Sequence, residues 1–143
     1  MRRVILSILS SVLLAACGTI VGPLPFVIPE DAVRFAAGVP EQTAFDTIRQ
    51  CLMDQHVAIS GSLSDLTWYR VAGPTFTEPT GQYLGMYFPA MRAIVLADGA
   101  PDQATLRRHE IAHFLSGQVS HAAAFWGACG IPVNGYNILF VIP

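Results

Sequence analysis

Two patterns of apolar residues, one recurring at helical spacing and one unbroken, predict most of the ordered elements. Between Pro40 and about Gln55, the apolar positions Ala44, Phe45, Ile48, Cys51 and Leu52 fall at intervals of three and four, leaving Glu41, Asp46, Arg49 and Asp54 largely outside. Pro40 suits a first helical turn, so a packing helix is predicted here, with His56 beyond it as a cap or surface residue. Leu66 to Val71 is rich in aromatic and β-branched residues and stops at Gly73-Pro74, which reads as a strand. Thr75 to Gly81 reads as a loop, and Gln82 to Phe88 as a second strand with Tyr83 and Tyr87 on one face. Arg92 to Ala97 contains the unbroken run Ala93-Ile94-Val95-Leu96-Ala97, expected of a buried central strand in a hairpin with its predecessor.

Asp98-Gly99-Ala100 turns the chain, and Pro101 with Asp102 opens another helix, whose apolar side carries Ile111, Phe114 and Leu115. Gly117 is placed to stop this helix in a left-handed cap. Ser120 is the expected N-cap of a short helix through Ala128, which would set His121 at its start. Tyr136 to Ile142 is an apolar run expected to pack back as a strand or tail. The predicted fold class is α+β: a short mixed sheet, a packing helix, and a second helix that carries the chemistry.

Composition changes the picture at the N-terminus. Met1-Arg2-Arg3 precedes thirteen residues, Val4 to Ala16, that are apolar apart from serines and too few to span a bilayer comfortably. They end in Leu14-Ala15-Ala16-Cys17, which resembles a bacterial lipobox. That resemblance implies a signal peptide over 1–16 and a lipid on Cys17. With Gly18 following, it also implies an outer-membrane, periplasm-facing location in a host with two membranes. Residues 17–39, with Pro23, Pro25 and Pro29, then read as the lipidated cysteine and an extended tether, and 40–143 as the domain. The mature chain has six arginines, no lysine and ten carboxylates, a net charge of 6 − 10 = −4, which argues against nucleic acid as a partner. Cys51 and Cys129 remain, either as a disulfide or as two buried thiols.

The second helix contains His109-Glu110-Ile111-Ala112-His113, an H-E-x-x-H sequence, with His121 eight residues later. Positions i and i+4 share a helix face, so His109 and His113 can hold one metal ion, with His121 as a third ligand. Three protein ligands with a fourth position left for water is the pattern of catalytic zinc, and Glu110 is placed to take a proton from that water. An oxyanion donor is also needed, for which Tyr136, Tyr83 and Tyr87 are candidates. Phe125 and Trp126 read as core residues.

The histidines and glutamate resemble those of the zincin metallopeptidases. The eight-residue interval and the absence of a methionine after His121 separate the chain from the metzincin pattern. His121-Ala122-Ala123-Ala124-Phe125-Trp126, with an aromatic four residues after the histidine, is similar to the compact SprT-like kind. Over residues 82–129 this likeness implies a zinc endopeptidase with His109, His113 and His121 as ligands and Glu110 as general base. It also implies that the 82–88 strand lies at the sheet edge, where an extended peptide adds by main-chain pairing and Gly85 eases its approach. The expected partners are a peptide or protein substrate and, through the lipid, a membrane; a monomer is the default. The alternative is a non-catalytic envelope lipoprotein that zinc merely stabilises.

Overall fold

A computed structural model describes residues 27–133; Cys17, the signal-peptide region and Tyr136 lie outside the described residues. The chain forms a small mixed α+β domain. Its four-stranded sheet has the order β1 (Val33–Phe35), β2 (Thr67–Val71), β6 (Ala93–Ala97), β5 (Gly85–Phe88). A separate two-stranded ribbon consists of β3 (Phe76–Glu78) and β4 (Gly81–Tyr83). β1 runs antiparallel to β2, β2 parallel to β6, and β6 antiparallel to β5, so the sheet is mixed. The apolar run forms β6, which is buried at every position and paired on both sides.

Helix α1 (Val39–Asp54) buries Ala44, Phe45, Ile48 and Leu52, the face its spacing predicts. It packs along α2 (Gln103–Ser116), which in turn lies against β5 and β6. α2 is capped at its start by the Asp102 carboxylate, which accepts from the Thr105 N–H at 3.0 Å. At its end Gly117, with φ of 66°, donates its N–H to the His113 carbonyl in the left-handed cap. A four-residue helix, α3 (Phe125–Ala128), follows.

Several expectations need correction. The 82–88 strand is broken at Leu84. Tyr83 pairs with Phe76 in the ribbon, whereas Gly85 to Phe88 pair with β6, so Leu84, buried in the core, is where the chain changes sheets. The expected 75–81 loop therefore contains β3. Val33–Phe35, inside the expected tether, pairs with β2 as an edge strand. Ser120 does not cap a helix, because α3 begins only at Phe125 and His121 sits in the preceding bend. Glu41 is not on the outside. It is buried, with Oε2 accepting from the Gly38 N–H at 2.8 Å and Oε1 paired with Arg107 Nε at 2.6 Å, which joins α1 to α2. Burial pushes the Glu41 carboxyl up, but these donors outweigh it and hold the group below its ordinary value.

Candidate metal centre

His109 and His113 project from one face of α2, as i and i+4 require, and His121 reaches them from the bend before α3. The three Nε2 atoms form a small triangle: 3.3 Å between His113 and His109, 3.0 Å between His121 and His109, and 3.1 Å between His121 and His113. Ligands at 2.0–2.1 Å from one tetrahedral ion would stand about 3.3–3.4 Å apart, so the triangle has the size that a single ion needs.

The donor chemistry fits as well. His109 Nδ1 lies 3.1 Å from the Pro132 carbonyl and His113 Nδ1 lies 2.5 Å from the Gln118 carbonyl. A carbonyl oxygen only accepts, so each Nδ1 carries the proton and each Nε2 of the neutral ring presents a bare lone pair. Burial and the neighbouring rings push His109 down to about 3, and burial also lowers His113 and His121, so the rings are neutral at pH 7. Lone pairs converging at this distance repel each other until a cation lies among them. Carbonyl partners on the far nitrogens are also the arrangement that fixes the orientation of metal-binding imidazoles. The three histidines therefore lie close enough to bind a metal ion, with His109 and His113 held in the tautomer that binding through Nε2 needs.

Trp126, 1% exposed, packs against all three rings, with centroid separations of 5.1 Å to His109, 4.7 Å to His113 and 4.8 Å to His121. Reading Phe125 and Trp126 as core residues is right about their burial but misses this contact. Equally unreadable from the sequence were the Pro132 and Gln118 carbonyls, because a main-chain acceptor leaves no mark on residue identity.

Glu110 follows His109 on α2 and is 3% exposed. Burial raises its carboxyl to about 8, against the opposing pull of a hydrogen bond from the Tyr87 main chain. It lies at the wall of a cavity of about 340 Å³, lined also by His113, Val119 and the apolar side of β5 and its flanks. Gly85 is the reason β5 sits so close. A Cβ there would stand 2.7 Å from Leu106 Cδ1 and 3.1 Å from Glu110 Oε1. The close approach that Gly85 permits in the fold is to α2.

Tyr83 and Tyr87 both line this cavity, but they do not share one strand face. The Tyr83 ring lies against Phe76 and its hydroxyl meets Thr80 Oγ1 at 2.5 Å, while the Tyr87 ring packs edge-on against Phe114. Cys51 and Cys129 are joined in a disulfide. No helix among the described residues is long and apolar enough to cross a membrane. No family model, curated protein or solved structure matches the chain.

Proposed function

We propose that the domain is a zinc-dependent endopeptidase of zincin type, closer in its motif to the SprT-like kind than to the metzincins, held at a bacterial cell envelope through Cys17. The observation that carries this reading is a triangle of imidazoles, two of them on the helix that also buries Glu110 beside an apolar cavity and the third, His121, from the bend that follows it. His109, His113 and His121 would hold the ion. Zinc, when bound, supplies Lewis acidity toward a peptide carbonyl and toward water.

The chain's own residues do the rest. Glu110 takes the proton from the attacking water and returns it to the leaving amine. A carboxyl raised by burial is suited to both transfers near neutral pH, and a nearby cation favours its charged form before attack. The Tyr87 main-chain bond holds that carboxylate toward β5. β5 is an edge strand of the sheet among the described residues, so an extended peptide could pair along its outer side while the cavity beside it takes a side chain. Tyr83 and Tyr87 stay candidates for the oxyanion donor.

Metal analysis combined with an unbiased peptide-cleavage screen tests the reading. One zinc per chain in the parent, little in His121→Ala, and cleavage abolished by a chelator are the expected results. Zinc absent from the parent would refute it. One observation favours the alternative of a non-catalytic, zinc-stabilised lipoprotein: the three ligands tie α2 to the stretch after Gly117, which a structural ion would also do. That reading predicts that His121→Ala unfolds the domain while no peptide in the screen is cut.

A further inference from the structure

The stretch that follows α2 supplies much of the metal centre's surroundings but is weakly tied to the remainder of the domain by its main chain. The backbone hydrogen bonds of Ala123 to Ile131 close within that same stretch, among the described residues. Three hydrogen bonds join its main chain to α2 side chains: the Pro132 carbonyl meets His109 and the Gln118 carbonyl meets His113, both metal-ligand candidates, and the Gln118 N–H donates to Ser116 Oγ at 3.2 Å. Burial of Phe125, Trp126 and Ile131 holds it as well. A further tie is covalent. Cys129, three residues from Trp126 and three from Pro132, is bonded to Cys51 in the last turn of α1, across a sequence separation of 78.

We propose that the Cys51–Cys129 disulfide is a positioning element of the metal centre. By fixing this stretch to α1 it keeps the Pro132 carbonyl on His109 and the Trp126 ring against the three imidazoles, so metal affinity depends on the disulfide being closed. The inference rests on the metal-binding part of the function proposed above. Partners that orient metal ligands typically change affinity by about 10–100-fold when lost. Opening the disulfide loosens two such supports together. By linkage, metal must stabilise the closed disulfide by the same factor. The chain would then acquire its metal fully only after oxidative folding, which an oxidising compartment provides.

The test is a zinc titration against a chromophoric chelator, comparing the parent with Cys51→Ser/Cys129→Ser, while amide exchange in α2 and β6 reports whether the variant is folded. The expected result is a loss of affinity of about 10–100-fold with α2 and β6 still protected. Equal affinities would overturn the proposal and leave the proposed function standing. A parent that binds no zinc would overturn both. Should the variant fail to fold, the reciprocal measurement decides: the glutathione ratio that half-opens the disulfide in the parent, at buffered zinc and without zinc. A shift of the same factor toward more reducing conditions supports the coupling, and an unchanged midpoint refutes it.

Discussion

Replacing Gly85 by alanine adds one methyl group where β5 meets α2. That methyl carbon would lie 2.7 Å from Leu106 Cδ1, 3.0 Å from Leu106 Cγ and 3.1 Å from Glu110 Oε1. Leu106 is fully buried, so its side chain cannot simply swing out into solvent. The strand must lift or the helix must shift, and overpacking of this kind costs about 1–3 kcal/mol. The sign is diagnostic, since Gly→Ala at an unstrained, open position stabilises by about 0.4–1 kcal/mol through the unfolded chain. Lifting β5 also weakens the Tyr87 main-chain bond to Glu110, so hydrolysis should fall further than stability alone explains. Urea unfolding of Gly85→Ala, Leu106→Ala and the double variant measures the effect. Leu106→Ala alone should cost about 2–5 kcal/mol, and the double variant less than the sum, with a coupling of about 0.5–3 kcal/mol. Strict additivity, or a Gly85→Ala protein as stable as the parent, would refute the packing argument.

Glu41→Gln should destabilise by about 1.5–3 kcal/mol at neutral pH, because it removes the charge-assisted bond between α1 and α2. The Glu41 carboxyl is held below its ordinary 4.5, so its contribution is full above that value and disappears as pH falls through the lower folded one. Denaturation of parent and variant should therefore converge in acid, and a gap that persists there would contradict the assignment. Burial lowers all three imidazoles, so their protons compete with zinc only below their ordinary 6.5; in Glu110→Gln, which removes the titrating carboxyl beside the site, zinc affinity should be nearly flat from pH 8 to that value. A steep fall within that window, measured by chelator competition, would show that the rings are not held neutral. Zinc at about 100 times its Kd should raise stability by about 2.7 kcal/mol in the parent and by far less in His121→Ala. Cleavage should favour peptides with a large apolar residue beside the scissile bond, since Tyr83, Met86, Tyr87, Phe88, Pro89 and Val119 line the cavity next to Glu110. Preferential cutting beside acidic or basic residues would count against that pocket.

Much of the fold is legible in the sequence where burial is periodic or complete. The α1 face, the run that becomes β6, and the cap at Gly117 each follow from a local rule. Leu84 defeats such rules, because a strand that changes sheets keeps its local β character on both sides of the change. Glu41 looks solvent-facing by spacing alone, and only the distant Arg107 makes its burial favourable. Ser120 is a sound N-cap by type, yet the chain there is committed to turning His121 toward the other two rings, and the helix starts late. The candidate site divides in the same way. His109, Glu110 and His113 follow from helical spacing, and His121 from its nearness in the chain. The carbonyls of Pro132 and Gln118, the Trp126 contact and the role of Gly85 are tertiary, and no local pattern announces them.

The proposed function requires that Glu110 does chemistry beside a metal held by three histidines. Hydrolysis of an unbiased peptide mixture by zinc-loaded Glu110→Gln, set against the zinc-loaded parent, tests it most directly. The account predicts that the variant keeps its zinc and its fold while cleavage falls by about 10²-fold or more, the scale of a lost general base. Cleavage at the parent's rate by a fully loaded variant would contradict it.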